Sequence, residues 1–226
     1  MARTGTLESI IRGHPRERTG VRFVLTNTAD PSRVDDYSAW YDDYERAIIR
    51  PGLLQNALRF ENPNAAATAS DPRYAAVYDI VSPDPASAWQ ETETSPDYPR
   101  YLFDDPRSGL VAPALRGSYA LAGSLGIDEG HRALTGVHII LSDEATDTVR
   151  AQRAAALLKT GFFYGASRFR IIEGSPPPPE WLEIFETDLK DPLTAYARAL
   201  AAVPREPLAD GIRQRSSLSF ALVAAH

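Results

Sequence analysis

Cysteine is absent from the 226 residues, which excludes disulfides, thiolate metal sites and a thiol nucleophile. Lysine is scarce: Lys159 and Lys190 are the only two among 24 basic residues. Neither lies in an apolar run that would depress its pKa, so Schiff-base chemistry is not expected. Basic charge is outweighed by 30 acidic residues, for a net charge of −6, which argues against nucleic acid or an anionic membrane as partner. No apolar run reaches the roughly 18 residues of a membrane span, and residues 1–20 lack the apolar stretch of a secretory signal. A soluble, cytoplasmic protein is the expectation. The four histidines, His14, His131, His138 and His226, are scattered, with no HExxH pair and no carboxylates clustered at ligand spacing, so no metal site is expected. Dinucleotide, phosphate-loop and GxSxG patterns are missing too. What is present is a globular composition, 43% hydrophobic and 24% charged, whose remaining chemistry rests on His, Asp, Glu, Tyr and Arg.

The chain repeats itself. Pro51-Gly-Leu-Leu-Gln-Asn-Ala-Leu-Arg-Phe60 aligns with Thr160-Gly-Phe-Phe-Tyr-Gly-Ala-Ser-Arg-Phe169, and Tyr74-Ala-Ala-Val-Tyr-Asp79 with Trp181-Leu-Glu-Ile-Phe-Glu186. Asp84-Pro85 aligns with Asp191-Pro192, and Ser118-Tyr-Ala-Leu-Ala122 with Ser219-Phe-Ala-Leu-Val223. In the first copy residues 21–27 read as a strand. Tyr37, Trp40, Tyr41, Tyr44 and Ile48 then mark a helix over 38–50 that Pro51-Gly52 stops. Residues 53–60 and 74–81 are strands, Asp84-Pro85 caps and opens a second helix, and 118–123 is the last strand. This βαββαβ order predicts an α+β fold of two ferredoxin-like repeats, 21–124 and 135–226, joined by a linker at 125–134 and preceded by an extension at 1–20. One such sheet alone leaves a face bare, so the two are expected to pack sheet to sheet as an intrachain pseudo-dimeric α/β barrel. Residues 94–116 read as a lid or a packed irregular segment, and 175–179, with four prolines, as a stiff exposed spacer.

Trp40-Tyr41-Asp42-Asp43, Arg50-Pro51-Gly52, Arg59-Phe60 and Tyr74-Ala-Ala-Val-Tyr-Asp79 resemble the EthD-like branch of the dimeric α/β-barrel superfamily. The resemblance covers most of residues 21–124 and is fainter in the second copy, where Val149-Arg150 replaces the Trp-Tyr pair. It implies a ferredoxin-like barrel in a superfamily that includes monooxygenases, isomerases, lyases and haem proteins, so it does not fix an activity. Relatives commonly carry a histidine shortly after the Trp-Tyr pair, where this chain has Asp43, Tyr44 and Glu45.

Strand alternation divides the side chains into two sets. Ala75, Val77, Val137, Ile139, Leu141, Leu182 and Ile184 are expected under the helices. Tyr74, Ala76, Tyr78, Trp181, Glu183, Phe185, His138 and Ile140, with Gln55, Ala57, Arg59, Tyr164, Ala166 and Arg168, are expected to line a cavity between the sheets. There His138 and Glu183 form an imidazole–carboxylate pair for proton transfer, and Arg59 or Arg168 holds an anionic oxygen. The other reading is a buried histidine merely satisfied by an acid. Trp40, Tyr41 and Tyr44 are core or one edge of the cavity; Asp42 and Asp43 belong on the solvated face; the arginines are equally suited to bridges with Asp79 or Glu186. The expected function is a cofactor-independent enzyme, of isomerase, cyclase, lyase or monooxygenase type. Its substrate is a small, apolar, aromatic or polycyclic molecule bound by Arg59, Arg168, Tyr164, Tyr78, Trp181, Gln55, Tyr44 and Trp40, in a monomer or homodimer. The alternatives are a non-catalytic binding or accessory protein, and a haem protein with His138 as axial ligand.

Overall fold

A computed structural model describes residues 18–49, 52–68, 70–126, 133–143, 147–174, 177–203 and 213–226. Its strands are β1 (Gly20–Thr28), β2 (Leu54–Glu61), β3 (Tyr74–Ile80), β4 (Val111–Leu125), β5 (Gly136–Asp143), β6 (Gly165–Gly174), β7 (Trp181–Thr187) and β8 (Arg213–Ala225). Among the described residues the helices are α1 (Val34–Ile48), α2 (Pro85–Thr94), α3 (Asp147–Leu158) and α4 (Pro192–Ala202). The chain is thus α+β, and its strands form a closed barrel in the order β1-β3-β2-β8-β5-β7-β6-β4, with antiparallel pairing. Among the described residues no helix is long and apolar enough to cross a membrane.

Two compact units are distinguished, one of residues 17–120, 172–178 and 223–226, the other containing 121–171 and 179–222. In the first, β3 lies between β1 and β2, with Val77 opposite both Phe23 and Leu58. Helix α1 starts with Asp35 and Asp36 in its first turn, where carboxylates favour the positive end of the helix dipole. It buries Tyr37, Trp40, Tyr41, Tyr44 and Ile48, the expected stripe, against Leu54, Ala57, Tyr74, Ala76 and Tyr78. In the second unit β7 lies between β5 and β6, and Ala154 and Leu157 of α3 with Ala195 and Ala199 of α4 pack against Ile140, Ala166 and Phe185.

Both second helices begin in the same way. Asp84 accepts hydrogen bonds from the backbone N–H groups of Ala86 and Ser87, Asp191 accepts one from Thr194, and a proline follows each cap. The glycine that opens the first strand of each unit lies against that proline. A Cβ on Gly20 would stand 2.9 Å from Pro85 and 2.5 Å from the Tyr119 carbonyl oxygen. On Gly136 it would collide with Pro192 and lie 2.8 Å from the Phe220 carbonyl oxygen. Because Asp84 is exposed and acts only through its cap, Asp84→Ala should cost about 1 kcal/mol, read as a lowered urea midpoint with an unchanged slope.

The structure changes three expectations. Strand β4 starts at Val111, not near 118, and the segment before it contains 3-10 turns at Arg100–Phe103 and Pro106–Leu110. These are tied to α1: the Trp40 indole donates to the Leu102 carbonyl at 2.8 Å, and the Tyr44 and Tyr98 hydroxyls meet at 3.0 Å. The proline stretch is not wholly exposed, since Pro179 is buried, while 175–176 lie outside the described residues. Third, the two strand faces are exchanged. Tyr74, Ala76, Tyr78, His138, Phe185 and Ala166, assigned to a cavity, lie under the helices. Their alternates, such as Ala75, Val77, Val137, Ile139 and Leu182, occupy the opposite face and are equally buried.

Candidate active site

His138 and Glu183 share the helix-facing side of the second unit but do not pair. In register His138 stands opposite Phe185, and Glu183 opposite Ile140, so the two are diagonal neighbours. The His138 ring lies flat on Tyr196 of α4, with centroids 3.3 Å apart and planes 15° from parallel. Its Nδ1 is 2.7 Å from the Ser219 hydroxyl and its Nε2 is 2.9 Å from that of Ser217. Burial, aided by the positive charge of Arg153, pushes the imidazole down to a pKa of about 3. It is neutral at any ordinary pH and has no lone pair or proton to spare. Glu183 is fully buried and ion-paired with Arg153 of α3.

The other expected site residues are scattered. Arg168 lies opposite Glu183 across the β6–β7 ladder, with its guanidinium beside Gly123. Trp181 is covered by the Arg150 guanidinium, 4.1 Å from its ring, and Tyr164 is buried just before β6. Gln55 is half-buried where the β2–β3 register shifts. Trp40 and Tyr44 stack at 5.2 Å, and Tyr78 meets Tyr44 edge-on at 6.5 Å; all three are core. Arg59 bridges to neither Asp79 nor Glu186. It donates to Asp42 at 2.7 Å and to the Ser38 carbonyl at 3.2 Å, while Asp79 is held by Arg18 and Asn56.

A second polar cluster lies in the first unit. Asp42 and Glu45 project from α1 three residues apart, hence from one side of the helix. His226, just beyond β8, exchanges backbone hydrogen bonds with Ala57 at 3.0 and 2.9 Å, which fixes it beside β2. Its Nε2 stands 3.6 Å from Asp42 Oδ1 and 3.7 Å from Glu45 Oε2. Glu45 is wholly buried and, among the described residues, neither of its carboxylate oxygens has a hydrogen-bond partner. Burial raises its carboxyl to about 8, although the nearby Arg59 pulls the other way. The same burial, with Glu45 adding to it, lifts the Tyr41 phenol to about 12. Of these groups only Arg59 is among the expected site residues. The i, i+3 acids are visible in the sequence, but their partner comes from the far end of the chain. A groove of about 520 Å³, lined by Asp43, Arg46, Ala47, Tyr101, Leu102, Asp105 and Arg107, contains none of the expected site residues.

Haem does not fit the histidines described. An axial bond to His138 would break a hydrogen bond to Ser217 or Ser219 and part its ring from Tyr196. The Nε2 of His226 faces two carboxylates rather than an apolar slot. His14 and His131 lie outside the described residues.

Neither a protein-family model nor a curated protein matches the sequence. Solved structures do match. An anthrone oxidase-like protein is 10% identical, with a TM-score of 0.52 over 96% of this chain and 95% of its own. A mutant chlorite dismutase from Candidatus Nitrospira defluvii, in complex with cyanide, is 9% identical, with a TM-score of 0.54 over 91% and 90%. A protein from Lactobacillus acidophilus assigned by its name to the monooxygenases is 10% identical, with a TM-score of 0.53 over 91% and 94%. At such identities the likeness establishes the fold alone.

Proposed function

We propose that the chain is a small-molecule enzyme of the oxygenase or isomerase kind whose reacting end is the cluster of Asp42, Glu45, His226 and Arg59. The observation that carries this reading is the contrast between two fully buried glutamates. Glu183 is neutralised by Arg153, as a structural carboxylate should be. Glu45 is left without a hydrogen bond from any described residue, near Tyr41 and Tyr78 and beside an imidazole whose Nε2 likewise makes none among those residues. A buried group left unsatisfied costs stability, and such costs accumulate where function requires them. The aromatic surroundings suit a flat, largely apolar substrate, with the Arg59 charge available to an enolate or phenolate oxygen. Names among the structural neighbours, anthrone oxidase-like and monooxygenase, support hydroxylated polycyclic aromatics as the first compounds to try.

In this reading His138 and Glu183 are framework groups rather than catalytic ones, and the chain is an EthD-like barrel duplicated in tandem. The matching Asp-Pro caps and the glycines beneath them support the duplication. The test is turnover of anthrones, naphthols and quinols, followed by mass spectrometry and oxygen uptake. Glu45→Gln should lower turnover by on the order of 100-fold with its melting temperature kept. Undiminished turnover in that variant defeats the site, and binding by the wild type without turnover leaves a carrier protein instead.

A further inference from the structure

We infer that Asp42, Glu45 and His226 form a binding site for one divalent transition-metal cation. The inference rests on reading this cluster as the reacting end and adds its occupant. Three donors of metal-ligand type converge from two elements, the carboxylates from α1 and the imidazole from the end of β8, and one ligand atom from each lies within 4.8 Å of the others. The His226 separations of 3.6 and 3.7 Å are too long for hydrogen bonds. They are close to what one central ion requires, because donors bound at about 2.0–2.2 Å in a tetrahedron stand roughly 3.3–3.6 Å apart.

The second, independent observation is Glu45 itself. Its side chain is 0% exposed, is aimed into the cluster, and offers two oxygens that no described residue hydrogen-bonds. A proton neutralises such a group but leaves the gap between the donors; a cation satisfies both oxygen and nitrogen donors at once. Charge agrees. With both acids ionised, as ligation requires, two carboxylates, a neutral imidazole and the Arg59 guanidinium sum to one negative charge, which a divalent ion reverses. The hydrogen bond from Arg59 fixes the Asp42 carboxylate, the kind of outer support that ligating carboxylates usually have. Asp42 is 32% exposed while Glu45 is not exposed at all, so an ion would enter past Asp42. One nitrogen with two carboxylates suits zinc, manganese, cobalt or iron(II) better than calcium or magnesium, and three protein ligands leave a position for a substrate oxygen.

The test uses the full chain stripped with EDTA and dialysed, then titrated with Zn²⁺ by calorimetry and with Co²⁺ by visible absorption. The expected result is one cation per chain, with cobalt d–d bands in the visible. Glu45→Gln and His226→Ala should each weaken binding about 100-fold or more, while Asp43→Asn, an exposed neighbour on the same helix, should leave it unchanged. Absence of stoichiometric binding by the folded wild type overturns the inference, as does binding that His226→Ala leaves intact. Because the wild-type titration decides alone, a variant that fails to fold does not shelter the idea. Turnover by folded protein that binds no cation defeats the metal site but keeps the enzyme; stoichiometric binding with no compound turned over does the reverse.

Discussion

Replacing Arg153 with methionine is expected to destabilise the protein by roughly 3–5 kcal/mol, lowering its melting temperature by on the order of 10 °C. The guanidinium reaches from α3 onto Glu183 of β7, and the two side chains are 4% and 0% exposed. Burial lowers the Arg153 pKa to about 10, so it still carries its charge at neutral pH. Its loss leaves the carboxylate without its ion pair in a layer that buries Ile140, Ala154, Leu157, Phe163 and Phe185. The penalty is chiefly that of the stranded charge and not the worth of the pair. Arg153→Met combined with Glu183→Leu should therefore recover most of the loss, and a double-mutant cycle should show a coupling well above about 1 kcal/mol. A single variant that costs under about 1 kcal/mol, or a double variant as unstable as the single, would contradict this account.

Acid should unfold the protein partly through His138. Its ordinary pKa of 6.5 is lowered to about 3 in the fold. Between those values the unfolded chain binds a proton at this residue that the folded chain refuses, so stability falls as pH falls. The contribution is complete above pH 6.5 and is lost on the way down to about pH 3. The rate of loss is roughly 1.4 kcal/mol per pH unit, on the order of 5 kcal/mol in all. The faces around the ring explain the direction: Tyr196 covers it, Ser217 and Ser219 hold its nitrogens, and Arg153 is the charge that opposes protonation. Between about pH 7 and pH 4 the wild type should lose about 3 kcal/mol more than His138→Gln when urea midpoints are compared. Parallel pH profiles for the two proteins would show that the ring is not shielded as described. The two predictions are linked, because removing the Arg153 charge should also flatten this dependence.

Much of the fold was legible in the sequence because its signals are local. The Tyr37–Ile48 stripe repeats at helical spacing whatever it packs against, and Asp84-Pro85 and Asp191-Pro192 cap helices through their own backbone neighbours. The choice between strand faces was not legible. Alternation identifies the inner face only where the other face is wet, and every residue of β3 and β7 is buried. Volume misled as well. Small aliphatics fit readily under helices in general, yet α1 is so rich in aromatics that tyrosines, with Ala57 and Ala76 filling the space between them, meet it from below. The same reversal carried His138 and Glu183 into the helix layer, where each found a different partner.

By itself, then, the sequence determined the elements, their order and their caps, since these depend on residues within a turn or two of one another. Only the tertiary structure decided which polar groups meet. Arg59 chose Asp42, Glu183 took Arg153, and Glu45 was left facing His226 from the opposite end of the chain. The physical reason is that pairing between buried charges depends on distances of a few ångströms, set by strand register and helix placement, and no sequence period encodes them.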